Sequence, residues 1–204
     1  MESNTKDQPL FIQLPDGRRL AYAIYGDPHG QPVFFFHGSP GSRYQAWVLN
    51  RPAASLGLRI IAPERPGFGC SDFQIGRAIH HWPDDVRALA DALKLGRFAV
   101  LGASGGGPYA AACAACLPDR LNRAVLVASI GPMTLPGIMD DFPPRNRLFF
   151  RIARYTPWLL PALFKSVSKN AAKDPEQYIQ RARKTMDPID ASVLEEDGDR
   201  KSVV

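Results

Sequence analysis

One glycine-rich segment of this 204-residue chain, FAVLGASGGG at residues 98–107, contains the side chain best suited to chemistry. Ser104 has Gly102 two positions before it and Gly106 two positions after it, between an apolar strand and a predicted helix. A serine on so sharp a strand-to-helix turn needs neighbours without bulky side chains. Its hydroxyl would project at the positive end of the helix, and the backbone N–H of Gly105 would be placed to stabilise an oxyanion. The spacing therefore predicts Ser104 as a nucleophile.

The same glycines allow three other interpretations. A phosphate-binding loop of the Walker type requires Lys-Ser or Lys-Thr after Gly107, but proline and tyrosine stand there. The pattern Gly105-x-Gly107-x-x-Ala110 fits a dinucleotide fingerprint, yet the next strand, within residues 124–131, carries no acid to hold a ribose. The third interpretation is a glycine-rich turn that merely lets a helix pack closely, and it stays open.

A second segment supports a role in acyl chemistry. HGSPGS at residues 37–42 directly follows a short apolar strand. Such a loop can direct a backbone N–H at the same oxyanion, and Ser39 is the expected donor because Pro40 has no N–H. His37 is expected to orient this loop rather than to act in catalysis. A third segment, ERPGFGCS at residues 64–71, is by itself only a glycine-rich loop.

Short apolar runs alternate with helical patterns over the first 130 residues. Two of these runs flank the turn Pro15-Asp16-Gly17, which predicts a β-hairpin. The later runs are continuously apolar, which is typical of parallel strands covered on both faces. The expected strands are residues 10–14, 20–25, 33–36, 59–62, 98–101 and 124–128, and the expected helices are residues 83–94 and 105–116. This alternation predicts an α/β fold.

The character of the chain changes at Gly131. Prolines become frequent, and residues 131–185 hold ten Lys and Arg against four Asp and Glu, a net charge of +6. The net charge of the whole chain is +5, so the rest of the chain is nearly neutral. The pattern predicts short helices with one apolar and one basic face. Such a segment could lie on an anionic membrane surface or fold as a lid, and the prolines favour the lid. We therefore divide the chain into a core, residues 1–130, and a partial helical cap, residues 131–204.

Three segments in this order, HGSPGSR, ERPGFGCSD and GASGGGPYA, resemble the α/β-hydrolase superfamily and, in detail, the esterase- and peptidase-like members of its hydrolase fold 1 branch. The resemblance implies a mostly parallel sheet with helices on both faces, an N-terminal β-hairpin and a helical cap. It implies ester or amide hydrolysis by acyl transfer, with Ser104 as nucleophile and the N–H groups of Ser39 and Gly105 as oxyanion hole. The supporting elbow and loop glycines are Gly38, Gly102 and Gly106.

The resemblance is incomplete in one respect. Members of the superfamily follow the order Ser, then Asp or Glu, then His, but the four histidines of this chain, at positions 29, 37, 80 and 81, all precede Ser104. The last strands of the fold, with the acid and the base of the triad, are therefore expected to be missing from a chain truncated inside its cap. A non-catalytic truncated isoform, a fragment or a ligand-binding member is the alternative to an active hydrolase. Recruitment of His80 or His81 as a base is less expected than a solvated loop position.

Composition limits the remaining function classes. The chain is 45% hydrophobic and 22% charged, which excludes a wholly disordered protein. Its N-terminus is polar and its longest apolar run is too short to span a membrane, so a cytoplasmic protein without stable membrane insertion is expected. Cys113 and Cys116 fall inside the alanine-rich helix, where packing explains them better than redox chemistry. We expect no metal, no cofactor and no nucleic-acid partner, and a small-molecule substrate.

Overall fold

The computed structural model describes residues 8–133, 135–140 and 142–184. The chain divides into two compact units, Met1–Gly131 and Pro132–Val204. Each unit has its own secondary structure, and the residues with predicted chemistry all lie in the first. Interpretation of the second unit as a cap stays a prediction.

The first unit is built on one six-stranded sheet with the order β1-β2-β4-β3-β5-β6. The strands are β1 Leu10–Gln13, β2 Arg19–Gly26, β3 Gln31–Phe36, β4 Leu58–Pro63, β5 Phe98–Ala103 and β6 Leu121–Val127. β1, β2 and β4 pair antiparallel, whereas β4, β3, β5 and β6 are parallel. The predicted hairpin and the mostly parallel sheet are confirmed. β6 begins three residues earlier than the apolar run because backbone pairing with β5 continues through polar residues.

Three α-helices connect the strands of this unit: α1 Asn50–Ser55, α2 Trp82–Ala92 and α3 Gly107–Cys116. α2 has a proline and two aspartates in its first turn, and the negative charges stabilise the helix through its dipole. The helix ends before Lys94, whose φ is +55°. The sequence predicted that α3 begins at Gly105, but it begins at Gly107 because Ser104–Gly106 forms a separate 3₁₀ turn. Two further 3₁₀ segments, Arg43–Leu49 and Ile79–His81, precede α1 and α2.

Helices cover both faces of the central strands. Phe34 and Phe36 of β3 pack in one buried cluster with residues of α2 and α3, whereas Phe35 packs in a second cluster with Ala46 and Ala53 on the opposite side. Successive residues of a strand point to opposite faces, so burial on both sides requires a continuously apolar run. Cys113 belongs to the first cluster, where burial raises the pKa of its thiol to about 12 and makes it a packing residue.

β6 forms an edge of the sheet in the described part of the chain. It pairs with β5, and every residue of the strand after Leu121 is exposed, including Val125, Leu126 and Val127. The other parallel strands bury apolar side chains on both faces of the sheet, whereas β6 buries only its first residue, Leu121.

The second unit consists of helices separated by prolines: α4 Pro144–Tyr155, a 3₁₀ turn Pro157–Leu159, α5 Leu160–Lys173 and α6 Pro175–Arg183. Aromatic rings join α4 to its neighbours, since Phe149 contacts Phe164 of α5 and Phe150 contacts Phe142. Among the described residues, none of the helices has the length and the apolar character that a membrane span requires.

Candidate active site

The order of the parallel strands brings the three glycine-rich segments to one edge of the sheet. β3 lies between β4 and β5, with Phe36 opposite Gly102 and Phe34 opposite Ile61. The loops that follow these strands begin at His37, Glu64 and Ser104, and they leave the sheet side by side. Carboxyl ends of adjacent parallel strands are the usual position of a site in such sheets.

Ser104 stands at the tip of the turn between β5 and α3. Its φ is +50°, in the left-handed region that L-residues other than glycine rarely adopt. This backbone conformation costs about 1–2 kcal/mol, so the surrounding structure must hold it. One such contact is a hydrogen bond from the N–H of Ile130 to the carbonyl of Ser104, with an N···O distance of 3.3 Å.

Gly102 and Gly106 permit this turn because the backbone passes too close for a side chain. A Cβ atom at position 102 would lie 2.8 Å from the Cα of Gly107 and 2.7 Å from the carbonyl carbon of Gly106. A Cβ atom at position 106 would lie 2.7 Å from the carbonyl carbon of Phe36 and 2.9 Å from the carbonyl oxygen of His37. Both positions therefore require glycine on steric grounds alone.

The loop after β3 lies against the turn that carries Ser104. A Cβ atom at Gly38 would be 3.4 Å from the Cβ of Ser104, and one at Gly105 would be 3.1 Å from the backbone nitrogen of Ser39. The N–H of Gly38 donates to Oε1 of Gln45 at 2.6 Å, which anchors the loop to the following 3₁₀ segment. The backbone nitrogens of Ser39 and Gly105 thus belong to adjacent segments beside Ser104. Gln45 was not among the sequence candidates.

Arg65 is a second residue that the sequence did not indicate. Its side chain is almost fully buried, at 1% exposure, and donates to the carbonyl of Gly105 at 2.9 Å and to that of Gly38 at 2.7 Å. Its guanidinium lies over the rings of Phe68 and Tyr109, 4.6 and 4.7 Å from their centroids. Burial lowers the pKa of Arg65 to about 10, so the group is still protonated at neutral pH.

The third glycine-rich segment is the scaffold that holds Arg65. The fully buried carboxylate of Glu64 accepts hydrogen bonds from Nη1 of Arg43 and from the N–H of Cys70, both at 2.6 Å. Gly69 has φ +52°, and a Cβ atom there would overlap the Glu64 carboxyl group. The loop therefore folds around one buried ion pair.

His37 is buried among these groups and is neutral. Its Nδ1–H donates to the carbonyl of Gly38 at 2.9 Å, and its Nε2 accepts from the N–H of Arg65 at 3.4 Å. Burial and the nearby charge of Arg65 lower its pKa to about 3. Both ring nitrogens are engaged in holding the loop, which agrees with an orienting role.

The low pKa of His37 predicts a pH dependence of stability. The unfolded chain takes up a proton at His37 below about pH 6.5, whereas the folded chain does not until about pH 3. The free energy of unfolding therefore decreases as the pH is lowered from about 6.5 to about 3. We expect the contribution of His37 to fall by about 2 kcal/mol between pH 7 and pH 5. Urea denaturation of the wild type and of His37→Gln at both pH values measures it. An equal change in the free energy of unfolding between pH 7 and pH 5 for the two proteins would contradict the prediction.

His80 and His81 make their described contacts with each other and with the backbone that precedes α2. The rings of His80 and His81 contact each other at the start of α2, 4.2 Å between centroids, and Nδ1 of His81 accepts the N–H of Ala78. Within the described ranges, no imidazole or carboxylate forms a hydrogen bond with the Ser104 hydroxyl. In the same part of the chain, no three His, Cys, Asp or Glu side chains are grouped to bind a metal ion. The described site has a serine and backbone donors but no base.

Comparison with known proteins agrees with this fold. The sequence profile of the alpha/beta hydrolase fold matches residues 31–173. A non-heme chloroperoxidase of Streptomyces lividans is 37% identical over 60% of this chain and 45% of its own length. A 2-hydroxy-6-oxo-2,4-heptadienoate hydrolase of Pseudomonas putida is 36% identical over 50% of this chain and 38% of its own length. The chain thus spans less than half the length of either relative.

The likeness extends to solved structures. A crystal structure of a meta-cleavage product hydrolase is similar to this chain with a TM-score of 0.53 and 34% sequence identity. The superposition covers 60% of this chain and 45% of the other.

Proposed function

Since the chain belongs to the alpha/beta hydrolase fold family, we propose that it hydrolyses small ester or amide substrates by acyl transfer through Ser104. The observation that carries the proposal is the left-handed backbone of Ser104, held next to the loop of Ser39. Strained backbone of this kind is retained where a side chain must project for chemistry. A relative at modest identity that is named a hydrolase supports hydrolysis in general.

In the proposed reaction, the oxygen of Ser104 attacks the carbonyl carbon and the carbonyl oxygen becomes an oxyanion. The N–H groups of Ser39 and Gly105 donate to that oxyanion. Collapse of the intermediate expels the alcohol or amine with a proton, and water then releases the acid from the acyl-enzyme. The serine proton must pass to a base, and the described residues place none beside Ser104.

That last observation favours a second candidate, a ligand-binding member of the family that retains the pocket without turnover. Loss of one triad member costs nearly as much rate as loss of all three. The two candidates differ in whether Ser104 is activated, and a covalent probe reports on that directly.

We expect a fluorophosphonate to form a single adduct with the chain, because such probes react with activated serines, and we expect Ser104→Ala to abolish it. Intact-mass spectrometry of the folded proteins measures the adduct. Ser55→Ala removes an exposed hydroxyl on α1 and serves as a matched control that keeps full labelling. Absence of an adduct on the folded wild type would reject catalysis by this chain and support the ligand-binding candidate.

A further inference from the structure

Arg65 connects the two segments of the proposed oxyanion hole. Its Nη1 donates to the carbonyl of Gly105, and its Nη2 donates to the carbonyl of Gly38 and to Oγ of Ser39, at 2.9, 2.7 and 2.8 Å. We propose that Arg65 is a positioning residue that aligns the Ser39 N–H and strengthens it as an oxyanion donor. This inference rests on the proposed function.

Arg65 strengthens the Ser39 donor through the peptide unit to which that N–H belongs. The carbonyl of Gly38 and the N–H of Ser39 belong to one peptide unit, so a donor to that oxygen polarises the N–H and makes it a better donor. The carbonyl of Gly38 accepts from both Arg65 and His37. The peptide unit that carries the Gly105 N–H is held in the same manner, since its carbonyl, that of Ser104, accepts from Ile130.

The charge of Arg65 also sets it apart from Arg43, the other buried arginine of the described first unit. Arg43 contacts the carboxylate of Glu64 at 2.6 Å. Among the described residues Arg65 forms no salt bridge, and its donors go to backbone carbonyls and the Ser39 hydroxyl. A buried charge without a counter-ion is costly to fold. An uncompensated positive charge behind the oxyanion hole stabilises negative charge that develops in the reaction.

Kinetics of Ser104 acylation test the inference, with Arg65→Met, Arg65→Lys and a matched control. The control is Arg77→Met, because Arg77 lies over the same two rings but donates to the carbonyl of Pro66 and the Tyr109 hydroxyl. For p-nitrophenyl acetate we expect Arg65→Met to slow acylation about 10- to 100-fold, and Arg65→Lys to retain part of the rate. Arg77→Met is expected to stay within about 3-fold of the wild type.

The thiono analogue of the ester separates positioning from general destabilisation. Sulfur is a weaker hydrogen-bond acceptor than oxygen, so a misaligned donor slows the oxygen ester more than the thiono ester. A smaller folded fraction slows both equally. We therefore expect the preference for the oxygen ester to shrink in Arg65→Met, and an unchanged preference would overturn the inference.

A measurement without turnover distinguishes failure of the inference from failure of the proposed function. In ¹⁵N-labelled protein, the amide resonance of Ser39 is expected to shift or broaden in Arg65→Lys and to stay in place in Arg77→Lys. If the wild type does not react with the ester but the Ser39 resonance responds, the proposed function fails and the positioning role stands. An unchanged Ser39 resonance in folded Arg65→Lys overturns the positioning role, whatever the activity.

Discussion

Replacing Gly106 by alanine is expected to lower the free energy of unfolding by about 3 kcal/mol and to abolish fluorophosphonate labelling of Ser104. The new Cβ would overlap the carbonyl oxygen of Phe36 and lie 2.9 Å from that of His37. Both atoms are backbone, at the end of β3, and no side-chain rotation relieves the contact. Either the turn after Ser104 or the loop before Ser39 must move, and each movement separates the two oxyanion donors.

The matched control for this substitution is Gly96→Ala. A Cβ atom at position 96 would meet nothing within 4 Å, so we expect a change within about 0.5 kcal/mol and unchanged labelling. Urea denaturation gives the stabilities, and intact-mass spectrometry gives the labelled fraction. Equal stabilities for the two variants would show that the close backbone approach at Gly106 does not hold the turn.

The sheet and the Ser104 turn were the parts that local sequence patterns could predict. A strand covered on both faces must be continuously apolar, as residues 33–36 are, and a hairpin requires turn residues between its strands. Gly102 and Gly106 could be predicted for a similar reason, because a tight turn within five residues requires small residues at fixed positions of the sequence. The position of the helix start at Gly107 was missed because the 3₁₀ turn has the same small residues as the helix.

The polar groups that support the site could not be predicted in the same way. Arg65 contacts Gly38 and Gly105, which are 27 and 40 positions away, and Gln45 reaches Gly38 across a loop. Such contacts depend on the strand order, which places β3 between β4 and β5. One signal was present, because adjacent charged residues directly after the buried strand β4 are unusual unless they have buried partners.

Loss of the Glu64 carboxylate is expected to cost the first unit at least as much stability as the alanine substitution at Gly106. Its side chain is fully buried and that of Arg43 is 5% exposed, with 2.6 Å between Oε1 and Nη1. Removal of one partner from a buried ion pair costs about 3–5 kcal/mol, because the other charge stays buried. We expect Glu64→Ala to lose that much in urea denaturation. Asp72→Ala, which removes an exposed contact to Arg19, is expected to lose much less stability.

Glu64→Ala also distinguishes a role of Glu64 in stability from a role in the reaction of Ser104. Glu64 holds the loop through the N–H of Cys70 and forms no hydrogen bond with Ser104 or Ser39 in the described structure, whereas its neighbour Arg65 donates to the Ser39 hydroxyl. Slower labelling of the folded fraction of Glu64→Ala, with a reduced preference for the oxygen ester, would show that the loop transmits its position through Arg65. If the folded fraction labels at the wild-type rate, Glu64 contributes stability alone. A loss below about 1 kcal/mol would instead show that the buried pair does not hold the loop.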